Sequence, residues 1–185
     1  MSKRCVTLPL KDDEVKELKA GEEVLISGVL YTARDAAHKR LVALLDEGKP
    51  LPFDIKGQTI YYVGPCPAPE GHVIGSAGPT TSGRMDLYSP RLIESGLRGM
   101  IGKGLRDSNV VEAIKKYGAI YFGAVGGAAA LISSCIINQE VIAFSDLGTE
   151  AIRRIEVKDF PCFVIIDSYG NDRYEEGRKE FEIRE

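Results

Sequence analysis

The 185 residues suffice for one domain with a sizeable core, and the composition, 44% hydrophobic and 28% charged with no tryptophan, is that of an ordinary folded protein. A net charge of −3 gives no general field for nucleic acid or an anionic membrane, and no basic run with interleaved aromatics appears, so neither is expected as a partner. Cys5, Cys66, Cys135 and Cys162 lie far apart, without a CxxC pair and with only two histidines in the chain, which argues against a metal or complete iron–sulfur site made by this chain alone and fits free thiols in a reducing cytoplasm.

The opening "MSKRCVTLPLKDDEVKEL" turns acidic where the apolar part of a secretory signal would begin, so no such signal is expected. "CVTLPL" reads as a short strand, and "DDEVKELKAG" as one or two helical turns with acids first, lysines late and a glycine stop. "EVLISGVLYTA" is strand-like. Thr32 and Asp35 have the spacing of a capping box that would open "ARDAAHKRLVALLDEG", in which Ala37, Leu41, Leu44 and Leu45 form one apolar face. "QTIYYVGP" reads as the next strand. The loop "CPAPEGHVIGSAGPTTSGRMD" that follows has 21 residues, far more than a mere connection needs.

Beyond the loop the pattern alternates: helix "SPRLIESGL", strand "GMIGKG", helix "DSNVVEAIKKYG", strand "AIYFGAV", helix "AAALISSCI", strand "EVIAFSD". "TEAIRRIEVKDFPCFVIIDSYGND" reads as helical or mixed and then a strand, before a charged tail at about 173–185. Tyr117 to Gln139 carries no charge over 23 residues and is long enough to cross a bilayer, but its central "GG" divides it into a buried strand, a turn and a helix. The alternation predicts an α/β layered fold, a single domain over 1–185, with largely parallel pairing in its second half and ligands at the carboxyl ends of strands.

In "GPTTSGR", Gly78 and Gly83 permit close backbone approach, Thr80 and Thr81 supply hydroxyls, and Arg84 supplies a planar fork suited to carboxylate or phosphate. The segment reads as an anion cradle or as a tight surface turn. It is not a nucleotide P-loop, because Arg84 stands where the lysine belongs and Met85 where the magnesium-binding hydroxyl belongs. Lys103 sits between two glycines in "GKG", either a surface turn or a second part of the cradle. Taken alone, Arg34 reads as a surface cation, His38 and His72 as packing or surface residues, and Cys66 as an inert thiol.

The motifs "YTARDAAHKRL", "YYVGPCPAPEGHVIGSAGPTTSGRMD", "MIGKG", "GAVGGAAAL" and "DLGTEAIRRIEVKDFPCFVIIDSYGND", in that order from about Val24 to Asp172, resemble the C-terminal domain of class I, iron–sulfur-dependent fumarate hydratase. They equally resemble the β subunit of its two-chain form and of L-tartrate dehydratase. The resemblance implies a swivelling β/β/α domain that closes on a larger α subunit, which holds a [4Fe–4S] cluster, around a C4 dicarboxylate. It implies Thr80 as the catalytic base, with Thr81, Arg84, Arg34 and Lys103 at the substrate. Leu105 departs from the family, which usually has asparagine after "KG".

The residue types suit the implied chemistry: arginines fit carboxylates, a lysine supports developing charge, and a threonine serves as base only where cations stabilise its alkoxide or where it relays a proton. A chain of this kind is expected to be inactive alone and able to self-associate through the face its partner would cover. A non-catalytic anion-binding or regulatory module is the alternative of another class. The retention of Thr80, Arg84 and Lys103 together speaks against it.

Overall fold

A computed structural model describes residues 3–183. The first two residues of the opening stretch and the last two of the charged tail lie outside the described residues. The order is β1 (Arg4–Thr7), α1 (Asp12–Glu17), β2 (Glu23–Thr32), α2 (Asp35–Asp46), β3 (Thr59–Tyr61), a 3-10 turn (Ser82–Met85), α3 (Ser89–Glu94), β4 (Gly99–Gly102), α4 (Ser108–Tyr117), β5 (Ile120–Gly123), α5 (Ala129–Ser134), β6 (Ile136–Ala143), a second 3-10 turn (Ser145–Glu150), β7 (Ile152–Ile166) and α6 (Arg173–Phe181).

The strands form one mixed sheet in the order β1-β2-β3-β4-β5-β7-β6, with β2 also paired to β7. Pairs from β1 through β5 are parallel, as helical crossovers between successive strands require. β7 runs antiparallel to β5, β6 and β2. Because β2 pairs with β3 on one edge and β7 on the other, the ring β2-β3-β4-β5-β7 closes on itself, with β1 and β6 attached outside it.

Closure divides the strands of the ring between two cores, since successive side chains point to opposite faces. Tyr61, Val63, Ile101, Ile120, Phe122, Ile155 and Val164 belong to one apolar cluster, together with the N-terminal strand and Val15 and Leu18 at α1. Their neighbours Ile60, Tyr62, Met100 and Tyr121 belong to the other, packed against Ala37 and Leu41 of α2, Leu92 and Ile93 of α3, and Val110 and Ile114 of α4. α4 is well defined at both ends: Asp107 accepts from the Val110 N–H at 3.0 Å, and Gly118, at φ 68°, lets the chain leave in the left-handed conformation.

Several expectations need correction. Parallel pairing runs through β1 to β5 and is not concentrated in the second half, because the short connection between β6 and β7 forces those strands antiparallel. The stretch expected to be helical or mixed forms most of β7: its charged residues leave the sheet on faces only partly covered, while Ile152, Ile155, Val157 and Phe160 point inward. β6 begins at Ile136, inside the expected helix, which shortens α5 to Ala129–Ser134.

No capping box opens α2. Arg34 is its N-cap, without a side-chain cap hydrogen bond, and the buried Thr32 hydroxyl instead accepts from the Arg153 N–H at 3.0 Å. The charged tail continues as α6 through Phe181. The uncharged Tyr117–Gln139 stretch is divided among the end of α4, β5, α5 and β6, and among the described residues no helix is long and apolar enough to cross a membrane.

Candidate active site

The second half of the long loop returns to the sheet and extends it. Thr80 N–H donates to the Tyr62 carbonyl just past β3 at 2.7 Å, Lys103 N–H to the Thr80 carbonyl at 3.3 Å, and Ser82 N–H to the Lys103 carbonyl at 2.8 Å. Thr81 and Lys103 thereby form a parallel bridge. Backbone hydrogen bonding alone therefore sets Thr80, Thr81 and Lys103 side by side at the carboxyl ends of β3 and β4. The Lys103 side chain reaches toward the glycine turn after β5: a Cβ added at Gly126 would lie 4.0 Å from its Nζ.

Arg84 and Arg34 come from elements on either side. Arg84 stands on the 3-10 turn, and its Nε donates to Asp35 Oδ1 at 2.8 Å. Arg34, between β2 and α2, has its Nε 3.8 Å from the other Asp35 oxygen and its Nη2 3.4 Å from Glu150 Oε1. Glu150 also accepts from the Ala36 N–H at 3.1 Å, and Arg153 donates to carbonyls of Gly148, Thr149 and Ala151, tying down the turn that carries it. Gly64 completes the slot, because a Cβ there would come within 2.9 Å of Arg34 Nη1. The arginines are thus mounted on carboxylates supplied by their own chain.

Beneath this surface lies a buried polar layer. Arg106 donates from Nε to Asp86 Oδ1 at 2.6 Å and from Nη2 to Ser89 at 2.8 Å, and its guanidinium centre lies 4.9 Å from the Tyr121 ring and 5.4 Å from that of Tyr62. Asp86 Oδ2 accepts from the Asp107 N–H at 2.8 Å, so one carboxylate joins the glycine loop to the lysine turn. The Tyr121 hydroxyl joins them again, donating to the Gly104 carbonyl at 2.9 Å and lying 2.9 Å from Ser82 Oγ. Burial pushes the Tyr121 phenol up, so it stays protonated in this role.

His38 is fully buried on α2. Its Nδ1–H donates to the Arg34 carbonyl at 2.9 Å while Nε2 has no partner, and burial lowers its pKa to about 4, so the ring is neutral at pH 7. It packs edge-on to Tyr62, its ring centroid 5.1 Å away. His72 and Cys66 are exposed in the first half of the long loop, and His72 lines a depression of about 520 Å³ against α5 that includes none of the cradle residues. The structure therefore brings Thr80, Thr81 and Lys103 together and places Arg34 and Arg84 on a shared carboxylate; His72 and Cys66 stand apart from them.

Sequence reasoning missed Asp35, Glu150, Asp86 and Arg106 as parts of this arrangement. Asp86 and Arg106 lie within or beside recognisable loops, but Glu150 meets Ala36 across 114 positions, which no local pattern reveals. Thr81, Arg84 and Lys103 are exposed, and the apolar side chains of Leu87, Leu105 and Val125 stand exposed in the same and neighbouring loops. A depression of about 720 Å³ between α3 and α4, lined by Leu87, Arg91, Glu94 and Tyr117, contains none of the cradle residues. The cradle is an open face. Among the described residues no group of three or more His, Cys, Asp or Glu side chains is arranged to hold a metal ion, and the cysteines are free.

A closed, mostly parallel α/β sheet with cations and hydroxyls at its strand ends defines the class: an α/β domain with an open cationic rim. The chain belongs to the Fumarase C-terminus family, whose model matches residues 2–177. It is 43% identical over 164 residues to fumarate hydratase 2 of Leishmania major, covering 87% of this chain and 29% of that protein. To the aerobic class I fumarate hydratase of Escherichia coli K12 it is 40% identical over 172 residues, 91% of this chain and 31% of that protein. To the putative L(+)-tartrate dehydratase subunit beta of Methanocaldococcus jannaschii it is 37% identical over 176 residues, 92% of this chain and 90% of that one. The chain thus spans about a third of the length of the fumarate hydratases it matches.

Proposed function

We propose that this chain is the β subunit of a two-chain [4Fe–4S]-dependent fumarate hydratase, which interconverts fumarate and L-malate in the cytoplasm. The observation that carries the proposal is the open cradle: Thr80, Thr81 and Lys103 joined by backbone pairing, with Arg84 and Arg34 mounted beside them, on a face this chain does not enclose. An α subunit closing over that face, with this chain acting as a swivelling β/β/α domain, would remove the substrate from water. Likeness to the fumarate hydratases supports the reaction, and likeness to a tartrate dehydratase β subunit supports the two-chain arrangement.

Among the described residues no group of three or more His, Cys, Asp or Glu side chains is arranged to hold a metal ion, and the proposal assigns the cluster to the α subunit, where it would supply a Lewis acid. Arg34 and Arg84 hold substrate carboxylates, each guanidinium offering paired donors. Lys103 stabilises the negative charge that develops as the proton leaves carbon. Thr80, next to Lys103 in the extended sheet and acting as an alkoxide held by the neighbouring cations, takes that proton from malate as the C–O bond breaks and hydroxide leaves, and returns it to carbon in the hydration direction. Thr81 binds substrate beside it.

Anaerobic co-expression with the cluster-bearing partner, followed by assays on fumarate, malate and tartrate, tests this directly. Turnover of fumarate and malate is expected only for the assembled pair. Identities of 40% and 37% do not separate fumarate hydratase from L-tartrate dehydratase, so preferential turnover of tartrate would establish that second activity. Binding of an anion without turnover of any of them would leave a regulatory module.

A further inference from the structure

We propose that Asp35 is a positioning residue that yokes Arg34 and Arg84 into a single carboxylate clamp; this rests on the hydro-lyase function proposed above. Asp35 is the first residue of α2 and lies between the two arginines. Its Oδ1 takes only the Nε–H of Arg84, at 2.8 Å. The Nη groups of Arg84 have no hydrogen-bonded partner among the described residues, so the edge of the guanidinium that binds a carboxylate in two-pronged fashion is left for a ligand.

The other half of the yoke is unfinished. Asp35 Oδ2 and Arg34 Nε are both buried without a hydrogen-bond partner, and they face each other at 3.8 Å. Both atoms are shielded from bulk solvent, and a shift of about 1 Å would turn the gap into a charge-assisted hydrogen bond. A substrate carboxylate seated on the arginines draws them together. Asp35 then accepts from both and screens the repulsion between two cations converging on one ligand. Glu150, 3.4 Å from Arg34 Nη2, keeps that arginine from swinging into solvent.

An acid in the first turn of a helix also stabilises that helix through its dipole, and the test must separate the two roles. The chain is assembled anaerobically with its cluster-bearing partner, and steady-state kinetics are measured on the dicarboxylate that the wild type turns over. Asp35→Asn is expected to raise KM on the order of tenfold while kcat changes by less than about threefold, because the clamp holds ground state and transition state alike. Asp35→Glu keeps the helix charge but displaces the carboxylate. It should raise KM in the same direction at an unchanged melting temperature, and it carries the test if the asparagine variant does not fold.

In an Arg84→Lys background, Asp35→Asn should add little, since the yoke needs both arginine forks and one is already gone. Unchanged KM in both Asp35 variants, or an equal effect in the wild-type and Arg84→Lys backgrounds, overturns the yoke and leaves the hydro-lyase function standing. A wild-type assembly inactive on fumarate, malate and tartrate overturns both.

Discussion

Two arginine–aspartate pairs flank the same glycine loop and differ in almost everything except residue type. Arg106 and Asp86 are 0% and 8% exposed, 2.6 Å apart, and enclosed by Ser89, Tyr62, Tyr121 and the Asp107 amide. Arg84 and Asp35 are 50% and 30% exposed, 2.8 Å apart, and joined through a single nitrogen. A buried pair is held in one geometry by every neighbour and has nothing left to offer a ligand. The exposed pair keeps donors in reserve. Chemical identity therefore does not tell a structural cation from a binding cation; the number of donors already committed does.

The buried pair should respond most strongly to substitution. Arg106→Met leaves the Asp86 charge buried without its cation and loosens the tie between the glycine loop and the lysine turn. Removing one partner from such a pair costs about 3–5 kcal/mol. Urea unfolding of the isolated chain should show a decrease of that size, and a change below about 1 kcal/mol would mean that the pair is not structural.

His38 extends the contrast to pH. It is neutral in the fold, its pKa lowered to about 4 first by burial and further by the Arg106 charge, although the Arg34 carbonyl and Asp35 act the other way. In the unfolded chain it titrates near its ordinary value of about 6.5. Its contribution is therefore fully present above pH 6.5 and is lost as pH falls toward 4, a total of about 3 kcal/mol. Subtracting the stability–pH profile of His38→Phe from that of the wild type isolates this slope. A flat difference between pH 4 and 6.5 would show that the ring is not held in a dry site.

Much of the scaffold is legible in the sequence alone. β2, α2, α4 and the strand before the long loop follow from apolar periodicity closed by glycines, signals that local sequence carries in full. The first half of β7 is not, because Arg153, Arg154, Glu156, Lys158 and Asp159 interrupt its pattern, and only pairing with both β2 and β6 makes that stretch a strand, whereas the strand expected at its end is present. At the cradle, the residue types of Thr80, Arg84 and Lys103 can be read, and the bridge between Thr81 and Lys103 cannot. Asp35 is visible only as a helix-start signal. Its hydrogen bond with Arg84, across 49 positions, depends on the closed sheet bringing the start of α2 beside the loop.

The exposed pair gives the smallest change in stability and the most selective change in function. Arg84→Lys keeps the charge, and at a half-exposed position it should alter stability by less than about 0.5 kcal/mol. Lysine, however, offers one compact ammonium in place of a rigid fork. It cannot donate to Asp35 through one nitrogen while presenting a parallel pair of donors to a substrate carboxylate. Removing a charge-assisted hydrogen bond from a closed site costs roughly 1.5–3 kcal/mol, or on the order of ten to a hundredfold in kcat/KM. The two variants should therefore behave as opposites, Arg106→Met failing in the melt and Arg84→Lys failing only in the assay of the assembled enzyme. Wild-type kinetics for Arg84→Lys would reduce the exposed pair to a surface ion pair and return "GPTTSGR" to an ordinary turn.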